Sequence, residues 1–437
     1  MQKKDKVSEL ILKEEKRQKD TLMLIPSENY SSLNVRQAVG SVLAHKYSEG
    51  YPGKRYYQGN DIVDEIENLA IERAEKLFEV PHVNVQPYSG SPANAEVLFA
   101  LLLPGEKVMG MGLSSGGHLT HGHKDITFSG KYFKSVQYTL DEKAQIDYDK
   151  VYDLAKKEKP KLIFAGITSY PRTLNWQLFS DIAESVGAWL VADISHVAGL
   201  IVGGVYLSPV KFAHVITTTT HKTLRGPRGA MIMVTQKGLD KEGDLAHKID
   251  RSVFPGMQGG PHNNTTAAIA VALGEAMEPQ FKKYVRETVK NASVLSEKLI
   301  NGGLDLLTGG TDCHLLVIDL RKQGLTGSVV SEALEKAGII VNRNLIPGDM
   351  MPALHSSGIR LGTPAVTTRN MTTSEMELIG EWISEALNSV SEYRLPSDEK
   401  ERSGFMKRFR KDIEKNKTLI NIRKKVKILC DKYPIPQ

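Results

Sequence analysis

The chain has 437 residues, 41% of them hydrophobic and 25% charged, with no run near the ~18 consecutive apolar residues of a membrane helix, a composition that argues against disorder and against a spanning segment. Two cysteines, Cys313 and Cys430, rule out a disulfide scaffold and a four-cysteine zinc site. The net charge of +6 is unevenly placed: residues 403–437 hold eleven Lys and Arg against three acidic residues, a balance of +8, so residues 1–402 come out at about −2 and are not basic.

Met1-Gln2-Lys3-Lys4-Asp5-Lys6 opens a mixed-charge segment rather than an apolar leader, so the expected location is the cytoplasm. Residues 7–19 read as a charged helix, followed by the turn-rich Ile25-Pro26-Ser27-Glu28-Asn29-Tyr30. Over 61–78, Ile62, Ile66, Leu69, Ala70, Ala74 and Leu77 recur at helical spacing, the pattern of an amphipathic helix. Short β-branched runs then alternate with helical stretches. Strands are expected at 84–86, 107–109, 162–165, 189–192, 215–219 and 231–234, with helices such as 92–103 and 177–186 between them. That alternation predicts a mostly parallel, doubly wound α/β sheet.

A long helix over 273–300 leads to a smaller α/β unit built from 314–320, 327–337 and 339–341. The boundary is placed at Met277-Glu278-Pro279. This gives an arm over 1–40, a large domain over 41–277 and a small domain over 278–437 with a basic helical tail. In the tail, Phe405, Phe409, Ile413, Ile420, Val426 and Leu429 interleave with cations. This reads as an amphipathic helix docked on its own domain, the alternative being a surface that holds RNA or another acidic partner.

Three segments carry candidate chemistry. Val215 to Gly229 is a β-branched strand that ends in Thr219-Thr220-His221-Lys222, then a Gly- and Pro-containing turn with Arg225 and Arg228. Past the end of a parallel strand, Lys222 is either a solvated loop residue or an amine made nucleophilic by partial burial and neighbouring cations. The strand Trp189 to Ala192 ends in Asp193, 29 residues before Lys222. Asp193 is either a helix N-cap or the carboxylate that keeps a heterocyclic nitrogen protonated, as pyridoxal phosphate chemistry requires. In Gln86 to Ala95, the small residues Ser89-Gly90-Ser91 open a helix where backbone N–H groups can meet an anion, and Phe254 to Pro261 can bring a second loop to it.

Other motifs fail. Gly117 to Lys124 has P-loop glycine spacing but His123 in the lysine position, and Gly110-Met111-Gly112 lacks the third dinucleotide glycine. His118, His121 and His123 have no acidic or cysteine partner at metal-ligand spacing.

Across Leu24 to Pro434 the chain resembles serine hydroxymethyltransferase, a fold-type-I, aspartate aminotransferase-like pyridoxal phosphate family. The resemblance rests on Ile25 to Tyr30, Glu49-Gly50-Tyr51-Pro52-Gly53-Lys54-Arg55-Tyr56-Tyr57, Gly116 to Gly122, Thr217 to Gly229 and Ser357 to Ala365. It implies a Schiff base between Lys222 and pyridoxal 5'-phosphate, with Asp193 at the ring nitrogen, His118 stacked on the ring and His196 beside it. Ser89, Gly90 and Ser91 would hold the phosphate. Tyr47, Gly259 and Gly260 would reach it from the second subunit of a homodimer. Arg360, helped by Ser27, would clamp the substrate carboxylate. Glu49 would be the acid/base residue at the hydroxymethyl group, Tyr57 would assist exchange of amines, Thr219 and His221 would flank the lysine, and Arg228 would lie near Tyr57. Tetrahydrofolate would meet Leu113, Gly117, His118, Leu119, Asn344 and the loop before Arg360.

The implied reaction is the reversible transfer of the serine hydroxymethyl carbon to tetrahydrofolate, giving glycine and 5,10-methylenetetrahydrofolate. No metal, membrane or specific nucleic acid is expected. The chain departs from the family pattern at Pro92, Gln58 and Ser195, and more consequentially at Met350-Met351-Pro352-Ala353-Leu354-His355-Ser356, where Leu354 stands in for a folate-contacting aromatic residue. That loop is the feature favouring the alternative, a folate-independent aldolase of threonine-like β-hydroxy amino acids or a hydroxymethyltransferase for α-methylserine.

Overall fold

The structure, a computed structural model, describes residues 5–124 and 126–436 and divides into two compact units, residues 31–286 and residues 1–30 with 287–437. Residues 1–30 group with the C-terminal segment instead of standing as part of a separate arm, and the division falls at Arg286–Glu287 rather than at 277. Met1–Lys4 of the expected arm and Gln437 of the tail lie outside the described residues.

In the unit 31–286, seven strands among the described residues form one sheet: β1 (His82–Asn84), β2 (Lys107–Met111), β3 (Lys134–Tyr138), β4 (Leu162–Gly166), β5 (Trp189–Asp193), β6 (Val215–Thr219) and β7 (Ala230–Val234). Their order is β1-β7-β6-β5-β4-β2-β3. From β3 to β6 neighbours are parallel, while β7 runs antiparallel to β6 and β1. Strands β4, β6 and β7 are buried at every position, as continuous apolar or β-branched runs covered on both faces should be. Strand β3 was not anticipated. It is an edge strand whose buried face is Val136 and Tyr138 alone, so its apolar signal is faint.

The helix Asp61–Phe78 forms as expected but buries Val63, Glu67, Ala70, Ala74 and Phe78, whereas Ile62 and Leu69 are exposed. The buried face is a second apolar stripe at helical spacing, Val63, Ala70, Ala74 and Phe78, and Glu67 lies on it paired with Arg55 at 2.6 Å. The single helix expected over 273–300 is two, Asn263–Ala276 and Pro279–Asn301. Pro279 lacks an N–H and takes the first position of the second helix, where no intrahelical donor is needed.

In the other unit, β8 (Asp305–Leu306), β9 (Leu315–Asp319), β10 (Asn342–Asn344) and β11 (Gly358–Gly362) form an antiparallel sheet in the order β8-β9-β11-β10. Leu22–Met23 pairs in parallel with Ile339–Ile340. The basic tail folds as helices Glu399–Ile413 and Lys417–Lys432, which bury Met406, Phe409, Ile413, Leu419, Ile422, Val426 and Leu429 in the core of this unit. The docked amphipathic reading therefore holds, although Ile420 is at the surface.

Candidate active site

Asp193 ends β5, and three elements meet on its carboxylate. His121 Nε2 lies 2.9 Å from Oδ2, Asn94 Nδ2 donates to the same oxygen at 2.9 Å, and the Ser195 N–H donates to Oδ1 at 3.1 Å. The His118 N–H donates to His121 Nδ1, so the His121 proton sits on Nε2 and points at the aspartate. His121 stacks on Phe164 of β4 with ring centroids 5.0 Å apart. Gly166 makes room for it: a Cβ there would lie 2.9 Å from the Asp193 Cβ and 3.1 Å from the His121 ring. Asn94 is fully used, with Nδ2 also donating to Thr120 Oγ1 at 2.8 Å and Oδ1 accepting from Thr217 Oγ1 at 2.7 Å. Burial alone would raise the Asp193 pKa, but the hydrogen bond and field of His121, with His118 and the Ser195 N–H, hold it well below the usual carboxylate range. Asp193 is thus a buried, oriented anion, and the N-cap alternative is set aside because its bonds come mainly from distant elements.

Lys222 follows β6, and its Nζ donates to Thr219 Oγ1 at 2.7 Å. The Thr219 N–H in turn donates to Ser195 Oγ at 3.0 Å, and Thr223 Oγ1 donates to the carbonyl of the buried His196 at 3.0 Å, tying the lysine turn to the segment after Asp193. The turn is tight, with Arg225 at φ 58° and its guanidinium 4.3 Å from the Tyr284 ring centroid. Burial first, then the charges of Lys222 and Arg228, lower the His221 pKa to about 3, so His221 is neutral near pH 7. Its Nδ1 is buried without a hydrogen-bond partner among the described residues. Arg228 is exposed.

Ser89 is extended and precedes the helix Gly90–Leu101 without capping it through its own side chain. A Cβ on Gly90 would lie 2.7 Å from Thr219 Cγ2, so only glycine lets this helix start approach β6. The second small-residue loop is fastened alongside. Tyr88 N–H donates to Gln258 Oε1 and Tyr88 Oη to the Gly260 carbonyl, both at 2.9 Å, and the Tyr88 ring stacks on His262 at 4.1 Å. A Cβ on Gly259 would lie 3.4 Å from Glu49 Oε1, and one on Gly260 3.0 Å from the Tyr47 ring. The Tyr47 and Tyr57 rings are 5.2 Å apart. Arg55 fixes this segment through Asp64 and Glu67 and through the carbonyls of Ser48 and Gly50.

Leu113 lies in a short turn at Leu113–Ser115, Leu119 is partly exposed, and Gly117 is packed so closely on Met111 that no side chain fits. His118 Nδ1 meets Thr120 Oγ1 at 2.7 Å. In the other unit, Arg360 projects from the middle of β11, between Val317 of β9 and Asn342 of β10, and burial lowers its pKa to about 10. Ser27 lies beside Pro26, which packs on Gly362 of the same strand. Asn344 is on β10, two residues beyond Asn342.

His121, Asn94, Thr120 and Arg55, which hold the candidate site together, were not expected from the sequence, although each lies within one of its motif segments. Glycine at position 166, inside a fully buried strand, was the one signal of a close approach that could have led to His121. Among the described residues no group of three or more His, Cys, Asp or Glu is gathered as a metal site, and no helix is long and apolar enough to cross a membrane.

The arrangement fits pyridoxal phosphate. It offers an amine at Lys222, a permanent carboxylate anion at Asp193 for the ring nitrogen, and uncapped small residues at a helix start for the phosphate. Comparison with known proteins agrees. A family model described as serine hydroxymethyltransferase matches residues 1–383. A serine hydroxymethyltransferase of Acidothermus cellulolyticus is 53% identical over 386 residues, 88% of each chain. That of Desulfotalea psychrophila is 48% identical over 427 residues, 98% of this chain and 93% of its own. That of Sorangium cellulosum is 53% identical over 387 residues, 88% of this chain and 90% of its own. The chain therefore belongs to the serine hydroxymethyltransferase family of fold-type-I transferases, which use pyridoxal phosphate and take tetrahydrofolate as co-substrate.

Proposed function

We propose that this chain interconverts serine and glycine by passing the serine hydroxymethyl carbon to and from tetrahydrofolate. The observation that carries the reading is Asp193, an anion held by His121, Asn94 and the Ser195 N–H at the end of the strand next to the one that delivers Lys222. Pyridoxal phosphate, when bound, supplies an electron sink for the bond broken at the amino-acid α-carbon. Lys222 offers the amine that attaches it, and Thr219 orients that amine. Asp193 keeps the ring-nitrogen proton in place, and His118 and His196 are assigned to the ring faces and edge. Ser89, Gly90 and Ser91 take the phosphate with backbone N–H groups and hydroxyls. Arg360, with Ser27, takes the substrate carboxylate. Glu49 moves the proton at the serine hydroxyl, Tyr57 and His221 assist amine exchange, and Arg228 belongs beside Tyr57. Leu113, Gly117, His118, Leu119 and Asn344 take the folate.

A homodimer completes the site in this reading, with Tyr47, Gly259 and Gly260 serving the neighbouring subunit's phosphate. What supports it is the exposure of large apolar side chains on the unit 31–286, Val42 at 75%, Tyr56 at 73%, Leu103 at 73% and Ile62 at 64%, which a second subunit would cover. The two buried thiols suit a reducing cytoplasm.

The test is the visible spectrum of purified protein reconstituted with pyridoxal phosphate and glycine, before and after tetrahydrofolate. A long-wavelength band that rises on folate addition, with serine converted to glycine only when folate is present, supports the reading. Cleavage of β-hydroxy amino acids with a glycine spectrum indifferent to folate would replace it with the aldolase alternative.

A further inference from the structure

Strand β10 places Asn342 directly opposite Arg360 of β11 in an antiparallel register, so the two side chains share one face of the sheet. Arg360 Nε donates to Asn342 Oδ1 at 3.0 Å, while Asn342 Nδ2 donates to the Arg343 carbonyl at 2.7 Å. The Asn342 amide is therefore gripped at both ends and cannot rotate without losing a bond. A guanidinium can fork a carboxylate either side-on, through Nε and one Nη, or end-on, through the two Nη groups. With Nε bonded to Asn342, the plane of the guanidinium is set, and with it the direction from which a carboxylate can be forked.

We infer that Asn342 is a positioning residue for substrate recognition: it fixes the plane of the Arg360 guanidinium that takes the α-carboxylate of the amino-acid substrate. The inference rests on Arg360 being the carboxylate clamp in the proposed function. The choice of amide over acid at 342 is chemically specific. Aspartate has the same shape and would accept the same Nε bond, but its charge would cancel much of the cation that attracts the substrate. Asparagine orients the guanidinium and leaves the charge available. Arg343, next along the strand, donates through Nη1 to the Leu354 carbonyl at 2.8 Å, so the strand that holds the clamp also anchors the loop before Arg360.

The experiment compares wild type, Asn342→Ala and Asn342→Asp as holoenzymes, measuring equilibrium binding of L-serine and of L-serinamide by calorimetry together with kcat and KM. The amide keeps the amine and hydroxyl but has no carboxylate. The affinity ratio of serine over serinamide should fall about tenfold in both variants, with serine KM rising in step and kcat within about twofold. The isosteric Asn342→Asp keeps the test open should Asn342→Ala misfold, and its thermal midpoint should match wild type. A wild-type ratio in the folded variants overturns the inference. Arg360→Lys separates this from the underlying reading. If it too leaves the ratio unchanged, Arg360 is not the clamp; if it collapses the ratio while both Asn342 variants do not, only the role of Asn342 fails.

Discussion

His121 donates from Nε2 to Asp193 Oδ2 across 2.9 Å, and the backbone N–H of His118 fixes the tautomer that makes this possible. Burial works against the Asp193 anion, yet the hydrogen bond and field of His121 outweigh it, and the carboxyl stays well below the usual range. A depressed carboxylate pKa adds stability that is present above the ordinary value near 4 and is lost only as pH falls through the folded value. With Asp193 at the cofactor ring as proposed, the acid limb of activity in the native enzyme is expected to come from another group. His121→Ala removes the donor and leaves burial less opposed, so the Asp193 pKa should rise. The expected result is an acid limb of kcat/KM shifted upward in pH, with activity near neutrality down about tenfold or more and pyridoxal phosphate held more weakly. A pH–rate profile of the variant beside wild type measures both.

Glu96 presents the opposite electrostatics. It is fully buried in the helix Gly90–Leu101, neither carboxylate oxygen has a hydrogen-bond partner among the described residues, and burial pushes its pKa up to about 8. Because the folded value lies above the unfolded one, its protonated form costs little at low pH, and stability is lost as pH rises from about 4.5 through 8. The accumulated loss is on the order of 4 kcal/mol. Glu96→Gln keeps the shape without the charge, so it should flatten the stability profile and raise the thermal midpoint above pH 8 by several degrees. A series of thermal unfolding curves from pH 5 to 9 reads this directly. Coinciding wild-type and variant curves would mean that the carboxylate has a partner in solution.

These two acids show where the sequence could be read and where it could not. Asp193 was legible because it closes an apolar strand that packs beside the one delivering Lys222, and β-strand termini in parallel sheets gather functional side chains. Its partners were not, because His121 and Asn94 lie 72 and 99 residues away in sequence and no periodicity encodes that distance. Glu96 was invisible for a related reason: a single glutamate in a helical segment reads as solvated until the fold buries it. The parallel sheet was legible from its β-branched runs, whereas β3 escaped because a half-buried edge strand with Lys134, Ser135 and Gln137 looks like loop. The helix Asp61–Phe78 was legible but its buried face was not, since it carries two overlapping apolar stripes and the buried one, Val63, Ala70, Ala74 and Phe78, includes a glutamate whose partner, Arg55, lies outside the helix.

The loop before Arg360 tests the folate side of the function. Asp349 pins it, accepting from the N–H groups of Met351 and Ser357 and from Ser357 Oγ, while Leu354 remains 61% exposed. A branched aliphatic chain offers dispersion contact to a flat pterin but no aromatic stacking, which is worth about 0.5–1.5 kcal/mol. Leu354→Phe should therefore tighten tetrahydrofolate binding by about two- to tenfold and leave serine affinity unchanged. Titration of the glycine-bound enzyme with tetrahydrofolate measures it, and unchanged folate binding in the variant would show that Leu354 faces away from the pterin.

Arg369 governs the ends of the chain. It is fully buried, and its guanidinium donates to the carbonyls of Gln18, Lys19 and Thr21 at the end of the helix Lys6–Lys19 and to those of Cys430 and Tyr433 at the end of the helix Lys417–Lys432. The last carbonyls of a helix have no intrahelical partner, and the helix dipole makes that end negative, so one cation serves two helix termini at once. Arg369→Met fills the space but leaves these acceptors without a donor, at a cost of about 3 kcal/mol or more. Arg369→Lys keeps the charge with three donors in place of the planar fork and should fall between the two. Hydrogen exchange should accelerate in residues 6–19 and 417–432 together, while amides of the sheet β1–β7 keep their protection. Faster exchange in one helix alone would show that the two termini are held independently.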